Sequence, residues 1–266
     1  MHHYTLYAQT IRALVWSDLI VFKQEIGHKI IDNYIHVAAN LLVMGYILPQ
    51  FGLNADFGIF ILASLISSTA LFDSYPLVAN LVSDITGEKK ITYDLLLPIL
   101  SWLVFVRMII TSAIQNTILC CAVLPFGALF FAHKIDLASI SYISLFCMII
   151  VCSIFAGSFG IVTASLIQNM QRLSRVWVRF LFPLWYFGGF QFSFTSLKAT
   201  FPHAAYVNLL NPILYCTEGL RDAILGTAGP QGPYIAAIIC IPVLVFFTIL
   251  CTWMSVIRFK KRLDFV

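Results

Sequence analysis

Charge is what this sequence has least of. Asp, Glu, Lys and Arg make up 11% of its 266 residues, against 60% hydrophobic ones. A soluble domain is about one quarter charged. That scarcity excludes an ordinary soluble globule and leaves a polytopic membrane protein as the class that fits. One domain is expected, with no room for an additional soluble catalytic unit. Motifs that carry chemistry are scarce too. Gly87 leads only into Glu88-Lys89-Lys90, and no G-x-x-x-x-G-K-[ST] loop occurs, so the chain is not expected to grip ATP itself. No H-E-x-x-H occurs, and the six histidines are scattered. The seven cysteines fall in or beside apolar runs without metal-ligand spacing, apart from Cys216 in a polar stretch. They read as small membrane hydrophobes. No catalytic group, metal or cofactor is expected on this chain. The first residues carry Arg12, Lys23, Glu25 and Lys29 and lack the apolar core and small-residue site of a cleavable leader. No basic groove with interleaved aromatics argues for nucleic acid.

What the chain has is long apolar runs. Six are long enough to cross a bilayer, near 31–50, 57–82, 102–131, 139–167, 176–195 and 233–257. Lys and Arg fall on one side of these runs at all positions except Lys134, Lys198 and Arg221. The positive-inside rule then places both termini in the cytoplasm, with basic residues near anionic lipid heads. Residues 4–27 repeat Tyr7, Ile11, Leu14, Val15, Phe22 and Ile26 at helical spacing, with Asp18 blurring the apolar arc. The stretch 1–29 is expected to be an amphipathic helix in the membrane interface. Ser153, Ala156, Gly157, Gly160 and Ala164 supply small-x-x-x-small spacing, expected to bring helices close.

Two polar segments stand out. Residues 83–97 mix Glu88, Lys89, Lys90, Thr92, Tyr93 and Asp94 with Leu95-Leu96-Leu97, before Pro98. They read either as a helix that docks on a cytoplasmic partner or as a solvated loop. Residues 196–232 form the only long outer loop, and its apolar content predicts that it dips back into the membrane. Inside it runs N-P-I-L-Y-C-T-E-G-L-R. Asn211 fits an N-cap, Pro212 the first helical turn, and Glu218 and Arg221 share one face. A short charged helix between spans lines or plugs an aqueous path, or its ion pair staples the loop. Asp73 within the second run, and Gln115 and Asn116 within the third, are candidate path residues. Asp73-Ser74-Tyr75-Pro76 equally fits a helix break. The aromatics of the fifth run, among them Trp177, Phe182, Trp185 and Tyr186, either stack sugar rings or flat drugs or face lipid.

These features together resemble the membrane subunit of the ABC-2 family, the type-2 ABC exporters of bacteria. Asn211, Pro212, Ile213, Tyr215, Glu218, Leu220 and Arg221 match its N-P-[LI]-x-Y-x-x-E-x-[LI]-R motif. Around Thr92-Tyr93-Asp94 the chain departs from the glycine-threonine-x-glutamate that the family often has. The resemblance implies an all-α fold. It would have an N-terminal amphipathic helix (1–29) and a six-span domain (30–266), with a coupling helix about 83–97 and re-entrant external helices about 196–232. It also implies a permease homodimer in the bacterial inner membrane, served by two cytoplasmic ABC ATPase subunits that bind ATP and Mg. Glu88, Lys89, Lys90, Thr92, Tyr93 and Asp94 would couple to the ATPase. Asn211, Pro212, Tyr215, Glu218 and Arg221 would form the outer gate. The cargo would be hydrophobic or amphipathic: a drug, a lipid or a lipid-linked glycan. The competing reading is a stand-alone ion-coupled carrier or channel in which Asp73 titrates.

Overall fold

The computed structural model describes residues 2–54, 56–87, 100–131, 139–226 and 229–262. Every regular element among them is helical. Helix α1 (His2–Leu42) runs on through a π-turn (Val43–Ile47) and a last short turn (Leu48–Gln50). Next come α2 (Phe57–Thr86), α3 (Ser101–Phe131) and α4 (Tyr142–Leu166). Helix α5 covers 170–187 in three consecutive pieces: Met170–Val176, a π-turn at Trp177–Leu181, and Phe182–Phe187. Three shorter helices follow, α6 (Phe194–Thr200), α7 (Pro202–Asn208) and α8 (Pro212–Leu225), before α9 (Ala237–Arg262). Among the described residues, α1 with its extension, α2, α3, α4 and α9 are long and apolar enough to cross a membrane. The protein is an all-α polytopic membrane protein.

Helix α2 sits at the centre. Its most apolar window is 89% buried inside the chain, against 17% for α1. It packs on α3 and α4, and α4 packs in turn on α9. The small residues of α4 allow this approach: a Cβ on Gly157 would lie 3.3 Å from Ser112 of α3, and one on Gly160 3.3 Å from Ser74 of α2. Hydrocarbon already solvates apolar side chains, so close packing and buried polar contacts hold such helices together. One apolar cluster, including Leu41, Phe60, Phe131, Met148 and Leu220, fills the end where α2 begins. A smaller one, including Val82, Phe105, Leu173 and Phe259, fills the other end.

Two boundaries differ from the sequence-based expectation. No break separates 1–29 from the span after it, because α1 is continuous there. Asp18, which interrupts the apolar arc, accepts two 2.9 Å hydrogen bonds from Arg107 of α3 and one from Thr111. Farther along α1, Tyr34 stacks on Phe126 of α3 at 4.1 Å. The fifth run was expected over 176–195, yet α5 starts at Met170 and stops at Phe187. That length is about 27 Å, close to the thickness of a bilayer core. The stop is tertiary in origin. Gly189 has φ +81°, and a Cβ on Gly188 would lie 2.6 Å from Ile213 of α8. The glycine pair turns the chain back against α8, where a side chain would clash. Helix α2 runs unbroken through Pro76, so the helix break considered at 73–76 does not occur.

Candidate functional site

Helix α8 is a short helix buried almost from end to end, wedged against α2, α4 and α9. Its start is fixed locally. The Asn211 side chain accepts from the Ile213 N–H at 3.1 Å, as an N-cap does, and Pro212 takes the first helical position, where no N–H is needed. The Asn211 amide also donates to the Leu184 carbonyl of α5 at 2.7 Å. Tyr215 donates to the Leu209 carbonyl at 3.0 Å, and Thr217 to the Gly188 carbonyl at 2.6 Å. At the other end, Asp222 accepts from the Ala237 N–H at 2.9 Å and so ties α8 to the first turn of α9.

Glu218 and Arg221 pair at 3.1 Å, and both side chains are wholly buried. Most of their other hydrogen bonds go to backbone, and the Arg221 Nε is buried without a partner. Glu218 accepts from the Phe194 and Ile235 N–H groups, each at 3.1 Å. Arg221 donates to the carbonyls of Gly189, Phe190 and Phe192 and to the Ser64 hydroxyl of α2. Its guanidinium also lies 3.6 Å from the centre of the Phe60 ring, a cation–π contact. One ion pair thus clamps three stretches to α8: the turn after α5, the start of α6 and the loop before α9. In that loop, burial pushes the Tyr234 phenol up, and its hydroxyl donates to the Pro230 carbonyl.

A second site lies between α1, α2 and α5. It is a cavity of about 690 Å³ lined by residues of all three, including Lys29, Asn33, Asp73, Tyr75, Trp177 and Phe182. Helix α5 runs antiparallel to α2 here: Trp177 meets Tyr75 ring to ring at 4.5 Å, and the Trp185 indole donates to Ser68 at 2.7 Å. One wall is polar. Lys29 pairs with Asp73 at 3.4 Å, and Thr69 donates to the Asn33 carbonyl oxygen at 2.9 Å. The Asn33 amide nitrogen is buried without a partner. The facing wall is aromatic, built on Phe72, Trp177, Phe182 and Trp185. Such a lining suits a molecule with both a polar and an apolar side.

The candidate path residues therefore separate. Asp73 lines this cavity, whereas Gln115 and Asn116 do not. Asn116 is buried between α3 and α2, with its amide donating to the Ala70 carbonyl at 3.4 Å. The gate candidates Asn211, Pro212, Tyr215, Glu218 and Arg221 come together in α8, all of them buried. The coupling candidates Glu88, Lys89, Lys90, Thr92, Tyr93 and Asp94 lie outside the described residues. Sequence reasoning missed Lys29 and Asn33 as site residues. Their helical spacing, with Asp32 and His36, gave a polar stripe at the head of the first run that could have flagged them.

The family profile described as "ABC-2 type transporter" matches residues 9–225 of the chain. A search of curated proteins returned no match.

Proposed function

The chain belongs to the ABC-2 type transporter family, and on that premise we propose that it is the permease subunit of an ATP-driven exporter in a bacterial inner membrane. The family is one of permease domains, and membership implies association with an ABC ATPase. In the proposed assembly two copies of the permease stand on two ATPase subunits, which bind ATP and Mg. Both termini face the cytoplasm, in keeping with the Lys and Arg bias. Residues 83–97 transmit ATPase closure to the spans, with Glu88, Lys89, Lys90, Thr92, Tyr93 and Asp94 as the contact surface. The cargo is hydrophobic or amphipathic, and the observation that carries this is the cavity between α1, α2 and α5, polar on one wall and aromatic on the other. Helix α8 closes the outer end of the path, held in place by the Glu218–Arg221 clamp. The competing carrier reading needs Asp73, which pairs with Lys29 on the cavity wall, to change charge.

The coupling is testable without knowing the cargo. Glu88→Lys and Tyr93→Ala should each lower permease-stimulated ATP turnover by roughly tenfold, the effect of losing about 1.4 kcal/mol of contact. The permease should remain inserted and monodisperse. Stimulation at the wild-type level in both variants would remove 83–97 from the mechanism.

A further inference from the structure

We infer that the groove between α5 and the α6–α7 pair binds the acidic head of an amphipathic anion, an inference that deepens the permease reading and rests on it. The groove has a volume of about 670 Å³, and most of its wall is apolar, including Phe180, Leu184, Phe187, Leu197, Val207 and Leu210. Its polar groups are few and mostly donors. Asn208 is only 6% exposed. Its carbonyl oxygen accepts from the Asn211 amide at 3.5 Å, while its own amide nitrogen has no partner. A buried donor in that state needs an acceptor from outside the chain. Arg179 lines the same groove, is exposed, and makes no hydrogen bond or ion pair among the described residues. His203 lies on the groove as well, and among the described residues no Asp or Glu lines it.

The two faces of α5 also differ. The cavity on its other side contains the carboxylates Asp32 and Asp73 beside Lys29, whereas this groove offers mostly donors. The π-turn Trp177–Leu181 divides them, turning Trp177 and Val178 to one side and Arg179 and Phe180 to the other. A phosphate or carboxylate supplies the acceptors that Arg179 and Asn208 lack, and an acyl or other apolar chain fits the Phe187, Val207 and Leu210 wall. That ligand is either a resident bilayer lipid or cargo in transit.

The test uses the full permease with its ATPase in phosphatidylcholine nanodiscs. These carry a trace of phosphatidylglycerol or of phosphatidylcholine with a photoactivatable acyl chain. Without ATP, the phosphatidylglycerol probe should label the Val207–Leu210 stretch about tenfold more than the phosphatidylcholine probe, as a charge-assisted contact would give. Asn208→Asp keeps the volume and the acceptor oxygen but removes the donor. It and Arg179→Gln should each remove most of that preference. Val207→Trp, at an exposed wall position, should fill the groove and suppress labelling by either lipid; being exposed, it keeps the test sound if an Asn208 variant fails to fold. Equal labelling by the two lipids, a preference that survives both polar variants, or crosslinks from Val207 to a second copy in place of lipid would each overturn the proposal. Labelling that falls during ATP turnover and returns with vanadate identifies cargo, and labelling indifferent to ATP identifies resident lipid; both uphold the anion site. Because the preference is read without ATP, it can fail while ATP-driven transport stands, and the reverse.

Discussion

Arg221 is a wholly buried cation, and the fold accommodates it by surrounding it with acceptors: the Glu218 carboxylate, the carbonyls of Gly189, Phe190 and Phe192, and the Ser64 hydroxyl. Removing one partner of a buried pair leaves the other charge uncompensated, at a cost of about 3–5 kcal/mol. Arg221→Met should therefore lower the melting temperature in detergent sharply and reduce the membrane-inserted yield. Glu218→Gln keeps an acceptor oxygen and should cost less. Exchanging the two charges should be as damaging as Arg221→Met, because a guanidinium at 218 would face the Phe194 and Ile235 N–H donors. Near-normal melting of the exchanged variant would show that the clamp does not hold α8. The pairing itself was legible, since Glu218 and Arg221 stand three apart on one helix face. The ring of carbonyls was not, because it depends on where α5 turns back. Lys29 was counted among the charges that orient the chain, and its pairing with Asp73, 44 residues away, has no local signature.

Among elements, α1 and α3 are joined by the Asp18–Arg107 contact near one end and by Tyr34–Phe126 farther along. The ion pair is bidentate, and a charge-assisted contact of this kind contributes about 2 kcal/mol. Asp18→Arg and Arg107→Asp should each lower the melting temperature, and the double exchange should recover most of the loss. Additive losses in the double variant would mean the two residues do not couple. Helix α5 is expected to be sensitive at its end. Gly188→Val would drive a side chain into Ile213 and should destabilise the protein by about 1–3 kcal/mol, read from the same melting curves. Helices α2, α3, α4 and α9 were legible because each is an apolar run longer than the bilayer requires, with ends marked by polar residues. The end of α5 was not, because a contact with α8 sets it, and the continuity of α1 was hidden by charges such as Asp18, which Arg107 of α3 neutralises.

At the scale of the whole molecule, the clamp and the cavity have different consequences. The clamp ties α8 to the turn after α5, to α2 and to the loop before α9, so α8 can shift only if these parts move with it. The cavity between α1, α2 and α5 sets the deeply buried α2 against α1, the least buried of the spans. An ATP-driven permease should change access to that cavity, whatever it carries. The most direct measurement is the rate at which a cytoplasmic, membrane-impermeant maleimide labels Ser174→Cys, a substitution on the cavity wall. It would be made in inside-out vesicles that contain the permease and its ATPase. Trapping with ATP and vanadate should change the rate by roughly fivefold or more, the effect of a coupling free energy of about 1 kcal/mol. A rate indifferent to the nucleotide, or one that responds instead to collapse of the proton gradient, would contradict the account.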